Sequence, residues 1–236
     1  MIFFEIDPSK SFILDWRRRI GIIEGTTLGL LYLQEYSRMT IIHSDIKASN
    51  ILLDEEMKPK ISDFGMARTF MKHELEANTD LIVGTYGYVP PEYVKMGVYS
   101  TKSVVYSFRA LLLQIISGKR NAYYYGLDES LNLLDYAYEL WKEDNGMEFM
   151  DPILDDTTSS LKLIRCMQIA LLCVQETAKD RPSMLEVSSM LKNESAALTI
   201  PKKPAFSRKT DEDQEDKPPY WSKKFVPILL LQSQNW

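Results

Sequence analysis

The residues able to do chemistry gather in one octapeptide, His43-Ser44-Asp45-Ile46-Lys47-Ala48-Ser49-Asn50, followed by Asp63-Phe64-Gly65 and later by Pro91-Glu92. An Asp-Phe-Gly tripeptide alone says little, but the whole series, in this order and at these separations, is highly specific. It supplies carboxylates, a carboxamide and an ammonium. Carboxylate and carboxamide oxygens are hard donors suited to Mg²⁺. Moving a phosphoryl group needs a carboxylate near the attacking hydroxyl, cations on the phosphates and little covalent help from the protein. Groups of these kinds could serve such a transfer.

Residue patterns outline the elements that must hold these groups. Asp15 is a plausible N-cap for an amphipathic helix over residues 16–36, with apolar residues at Ile20, Ile23, Leu28 and Leu31. Gly21, Gly25 and Gly29, spaced four apart, share one face of it. That spacing is not a phosphate-binding Gly-x-Gly-x-x-Gly loop and predicts close helix packing instead. Short β-like pieces follow at 41–42, 51–53 and 60–62, the last two flanking Asp54-Glu55-Glu56 as a hairpin would. Residues 101–117 form a nearly continuous apolar run ending at Gly118, the pattern of a central buried helix. Three further helical patterns cover 131–141, 161–174 and 183–191, with Pro182 well placed for a helix start.

Composition excludes other classes. The chain has 236 residues, 45% hydrophobic and 26% charged, ordinary values for a soluble globular protein with a sizeable core. A net charge of −5 argues against nucleic acid as a partner, which calls for a basic face. The two cysteines, Cys166 and Cys173, lie two helical turns apart in an apolar segment and read as reduced core thiols. No run approaches the ~20 apolar residues that cross a bilayer. Met1-Ile-Phe-Phe is followed by Glu5 and Asp7, unlike a secretory signal, so a cytoplasmic chain is expected. Residues 209–217 are dominated by Asp, Glu and Lys, and prolines recur at 201, 204, 218 and 219. Such a composition predicts a disordered tail over 201–236, with an apolar hook near Val226, after a domain of residues 1–200.

The series of motifs resembles the catalytic loop, magnesium loop and activation-segment end of eukaryotic protein kinases. Leu14-Asp-Trp-Arg-Arg-Arg-Ile, Ala48-Ser-Asn-Ile-Leu-Leu-Asp-Glu, Val83-Gly-Thr-Tyr-Gly-Tyr and Asp180-Arg-Pro-Ser-Met narrow this to plant receptor-like kinases. Within these, the S-domain lectin-type and cysteine-rich groups are most similar. The resemblance implies an α+β, mainly helical, protein-kinase-like fold, its large C-terminal lobe carrying short β-hairpins. It implies transfer of the ATP γ-phosphate to protein Ser/Thr, with a protein substrate, partner kinase or receptor. Asp45 is then the base, Lys47 neutralises the transferring group, Asn50 and Asp63 hold Mg²⁺, and Leu52 offers a floor for adenine. Lys47 is typical of serine/threonine-directed members. Thr79 and Thr85 are the phosphorylation or substrate-docking candidates of the activation segment. His43, Phe64, Glu92 and Arg181 are structural, Glu92 in a buried ion pair with Arg181. His73 reads as an exposed loop histidine.

Departures from the family pattern are as informative. No glycine loop, β3 lysine or αC glutamate is found, so the small ATP-clamping lobe is expected to be missing and catalysis by this chain alone to be impaired. Ser44 stands where regulated members carry an arginine that pairs with a phosphorylated loop. Val104 replaces a buried aspartate that accepts catalytic-loop N–H groups; leaving such groups unpaired costs ~1–3 kcal/mol. Arg109 replaces a glycine and Gln114 a glutamate in the central helix, two violations without visible compensation. A non-catalytic pseudokinase module or a degenerate fragment is the alternative.

Overall fold

A computed structural model describes residues 14–72, 74, 76–85, 87–121, 131–152, 154, 160–204 and 225–227. His73 and Tyr86, together with most of the segment beyond residue 204, lie outside the described residues. The first helix, α1 (Trp16–Leu31), is capped by the Asp15 side chain, which accepts a hydrogen bond from the Arg18 N–H at 2.8 Å. Its last expected turn is instead a π-helical segment, Tyr32–Tyr36. Two of the three α1 glycines do what their spacing predicts. A Cβ on Gly25 would lie 2.6 Å from Pro59 Cγ, and one on Gly29 would lie 2.9 Å from Ile61 Cδ1. Gly21 faces nothing within 4 Å. The helix therefore packs directly on a hairpin, and that hairpin carries the site.

The strands are short and paired in twos. They are β1 (Thr40–Ile42), β2 (Ile51–Leu53), β3 (Pro59–Ile61), β4 (Arg68–Phe70), β5 (Glu76–Asn78) and β6 (Ile82–Gly84). After α2 (Pro91–Met96) comes β7 (Val98–Ser100). β1 pairs with β4, β2 with β3 and β5 with β7, all antiparallel. The backbone of a last strand, β8 (Phe225–Pro227), runs parallel to β6.

The core surrounds α3 (Thr101–Ser117), in which every side chain from Ser103 to Ser117 is buried. Ser100 and Ser103 close a reciprocal capping box at its start. Gly118 ends the helix in the left-handed conformation, φ 67°, where a side chain would strike the Asp151 carboxylate. That carboxylate is held by Arg19 of α1 at 2.6 Å, while Arg19 Nη1 donates to the Ile115 carbonyl at 2.8 Å. One buried guanidinium thus ties α1 to the last turn of α3 and to Asp151, far along the chain. Against α3 pack α4 (Leu133–Lys142) and, most extensively, α5 (Ser160–Leu172), while α6 (Met184–Lys192) packs on α1 and α5. Cys166 and Cys173 are free and buried, and burial pushes both thiols up to about 12, as inert core residues. Residues after α6 stay docked through Thr199 and Lys202, whose backbones bond Gln168 and Gln175. The helical body therefore reaches past residue 200. No helix among the described residues is long and apolar enough to cross a membrane.

Candidate active site

The loop between β1 and β2 turns sharply at Ser44, whose φ of 68° is rare for a residue with a side chain. The turn sends His43 inward, fully buried, and leaves Asp45 4% exposed beside it. His43 Nε2 lies 2.8 Å from the Ser62 carbonyl, and its Nδ1 lies 3.3 Å from the Asp45 N–H. One nitrogen donates and the other accepts, which is the neutral imidazole. Burial lowers the His43 pKa against the pull of the Ser62 carbonyl and of Asp45 and Asp63, so the ring stays uncharged at neutral pH. Its ring also leans on Phe64, centroids 4.9 Å apart. The histidine is thus the peg between the two motif-bearing loops.

Asp45 is gripped from three sides. Its Oδ1 accepts from the Thr85 hydroxyl at 2.6 Å, and its Oδ2 accepts from Asn50 Nδ2 at 3.1 Å and pairs with Lys47 Nζ at 2.8 Å. Lys47 Nζ also lies 3.4 Å from Thr85 Oγ1. Asn50 Nδ2 donates a second bond, 2.8 Å, to the Asp45 carbonyl. With its nitrogen so committed, the Asn50 amide oxygen meets, among the described residues, only a 3.5 Å contact from Ser49. The hairpin of β2 and β3 returns the chain, and the Ser62 N–H closes it on the Asn50 carbonyl at 2.9 Å. Asp63 follows in the left-handed conformation, φ 61°, exposed, with no hydrogen bond or ion pair on its carboxylate among the described residues. Leu52 is 37% exposed on the same hairpin, and Phe64 is 45% exposed.

Asp45, Lys47, Asn50 and Thr85 therefore form one connected cluster, with Asp63 on the loop that His43 pegs to it. Thr79 lies elsewhere, its N–H donating to the Gly97 carbonyl at 3.0 Å and its hydroxyl engaged with Leu81. Glu92 and Arg181 meet as a bidentate pair at 2.6 and 2.9 Å, the Arg181 side chain fully buried. Arg181 Nε adds a bond to the Gln175 carbonyl at 2.8 Å. The pair anchors α2, just after the loop that carries Thr85.

The central helix corrects one expectation. Arg109 and Gln114 are compensated, and by the loop 84–88. Arg109 Nη2 donates to the Gly87 carbonyl at 2.7 Å, and Gln114 Oε1 accepts from the Tyr88 hydroxyl at 3.0 Å. Ser107 Oγ donates to the Tyr88 carbonyl at 2.7 Å. Burial pushes the Tyr88 hydroxyl up to about 12, so it remains a donor. Arg109 Nε is buried without a hydrogen-bond partner among the described residues. Ser107 and Tyr88 were not singled out from sequence. The available signal was a polar trio, Ser107, Arg109 and Gln114, inside an otherwise apolar helix. Val104, in contrast, borders a cavity of about 20 Å³ between α3 and the loop after β1, lined in part by Ile42, Ser44, Ser103 and Ser107.

The description protein kinase domain matches residues 7–191. Receptor-like serine/threonine-protein kinase SD1-7 of Arabidopsis thaliana is 53% identical over 204 residues, 85% of this chain and 24% of that protein. Cysteine-rich receptor-like protein kinase 21 of the same plant is 52% identical over 204 residues, 86% of this chain and 30% of that protein. Cysteine-rich receptor-like protein kinase 25 is 49% identical over 214 residues, 91% of this chain and 32% of that protein. The chain thus spans about a quarter to a third of the length of these relatives. The chain belongs to the protein kinase domain family, and within it is similar to plant receptor-like serine/threonine kinases.

Proposed function

We propose that this chain is the large-lobe part of a receptor-like serine/threonine kinase, transferring the ATP γ-phosphate to a protein hydroxyl when a small lobe completes the nucleotide cleft. The observation that carries this reading is the grip on Asp45: a buried carboxylate held at once by an ammonium, a carboxamide and a threonine hydroxyl. Asp45 then orients the substrate hydroxyl and accepts its proton, at an atom already fixed to within a hydrogen bond. Lys47 stands beside it to balance charge on the transferring group. Thr85 links both to the loop on which the substrate docks.

The residues present fit a Mg²⁺ ion. Asn50 turns its nitrogen to Asp45 and so presents its oxygen, while Asp63 offers an exposed carboxylate without a protein partner among the described residues. The ion would neutralise phosphate charge when bound. Leu52, half-exposed on the hairpin, would supply one wall for adenine. Its other wall, the glycine loop and the Lys–Glu pair are what a small lobe would supply.

A second reading, a non-catalytic nucleotide-sensing module, draws on Val104 beside its cavity and on Ser44 where an arginine would pair with a phosphorylated loop. One experiment separates the two. The purified chain is incubated with Mg·ATP and a generic protein substrate, with and without a relative's small lobe, alongside D45N. Transfer that needs both the added lobe and Asp45 supports the kinase reading. A thermal shift with Mg·ATP but no transfer under either condition supports the sensing module.

A further inference from the structure

Among the described residues of the loop 84–88, Thr85 is the one whose side chain bonds Asp45, its hydroxyl 2.6 Å from the carboxylate. Something must fix the rest of that loop, because most of its other polar contacts run away from the catalytic cluster. Gly87 adopts φ 79°, a left-handed conformation that turns its carbonyl toward α3. Two donors meet that carbonyl: Arg109 Nη2 at 2.7 Å and Asn121 Nδ2 at 3.4 Å. The Arg109 guanidinium is 4% exposed and forms no ion pair with a carboxylate among the described residues. It rests instead near the Tyr106 ring, 5.0 Å from the centroid. The Arg181 guanidinium, which carries the Glu92 pair, lies 4.9 Å from the same centroid. One buried ring therefore serves both the cation that anchors α2 and the cation that holds the docking loop.

We infer that Arg109 is a positioning residue: from inside the central helix it clamps the Gly87 carbonyl and so sets the loop that delivers Thr85 to Asp45. Among the described residues this buried charge meets a carbonyl and a ring and no carboxylate, a setting that does not by itself favour an arginine there. A charge-assisted bond from it to the docking loop is worth more than a neutral one and restricts the loop to one register. The effect on catalysis rests on the reading of 84–88 as the substrate-docking loop. The clamp itself can be measured without turnover.

The experiment is amide hydrogen exchange on the full chain, comparing wild type with R109M, R109A and R109K. Methionine keeps the buried stem and removes the donor, so it separates the clamp from simple packing. The Tyr88 amide, bonded to the Thr85 carbonyl at 3.1 Å, is the reporter. R109M and R109A are expected to speed its exchange about tenfold or more, R109K to restore part of the protection, and the amides of α3 to keep wild-type protection in R109M. Unchanged Tyr88 exchange in R109M, or equal loosening of α3 and the loop, would overturn the assignment. Should R109A fail to fold, R109M and R109K still decide it. Loss of loop protection without any phosphotransfer by the completed chain would uphold the clamp and sink the kinase reading, so the two failures are distinguishable.

Discussion

The loop from His43 to Gly65 and the loop from Gly84 to Tyr88 meet at Asp45, yet they are built on opposite principles. The first is held by its own neighbours: Asn50 bonds Asp45 across five residues, and His43 bonds Ser62 across nineteen. The second borrows its partners from far away, Arg109 at a separation of 22 and Gln114 at 26, and α2 just after it is held by Arg181 on Glu92 at 89. A loop with local contacts can form once its hairpin closes. A loop with distant contacts forms only when the whole helical body is packed. The difference predicts that damage to the core will free the loop 84–88 before it disturbs the loop that carries Asp45.

Arg181→Met tests that comparison hardest. It leaves the Glu92 carboxylate in a buried setting without its cation, and breaking such a pair costs about 3–5 kcal/mol. Urea unfolding should show a loss of that size. Hydrogen exchange at moderate denaturant should show α2 and residues 82–88 opening while residues 45–53 stay protected. Simultaneous opening of both loops would erase the distinction. Thr85→Val removes the one hydroxyl that joins the two regions. Because its partner is a carboxylate, a loss of about 1.5–3 kcal/mol is expected, read as faster exchange in the docking loop. Gly25→Ala attacks the first region through its foundation. The added Cβ falls 2.6 Å from the Pro59 ring, which cannot swing aside, so overpacking of about 1–3 kcal/mol outweighs the helix-propensity gain of about 1 kcal/mol. A modest net loss of stability, with backbone chemical shifts changing at 59–61, is the expected result.

His43 supplies the smallest effect and a pH signature. Its folded pKa lies below the ordinary value of 6.5, chiefly because burial disfavours the imidazolium. As pH falls through 6.5 the unfolded chain takes up the proton before the native one does, so stability is present above that pH and is lost below it. Urea midpoints measured between pH 8 and pH 5 should fall on the acid side, and His43→Leu should flatten that part of the curve. A wild-type midpoint independent of pH over this interval would remove the neutral buried imidazole from the account.

The same contrast governs what could be read from sequence. The hairpin, the Asp15 cap, the glycine face of α1 and the buried run of α3 rest on periodicity and local residue type, and they form where the patterns place them within one to three residues. The π-helical end of α1 escaped because the apolar spacing continues smoothly through Tyr36. The candidate cluster around Asp45 was legible because its members lie close in sequence, with only Thr85 arriving from outside. Arg109 and Gln114 were not, for a physical reason. Their partners are a backbone carbonyl and a tyrosine hydroxyl on a distant loop, and neither leaves a mark in the pattern around the helix. A buried arginine looked like damage until its carbonyl was in view.

The most direct measurement is transfer of labelled phosphate from Mg·ATP to a serine- or threonine-containing protein by the chain completed with a relative's small lobe, compared with the same assembly carrying D45N. The account predicts transfer in the first and essentially none in the second, with the two proteins unfolding at similar urea concentrations. Equal transfer in both would contradict it, because the phosphate would then be moving without the carboxylate that every contact in the cluster converges on.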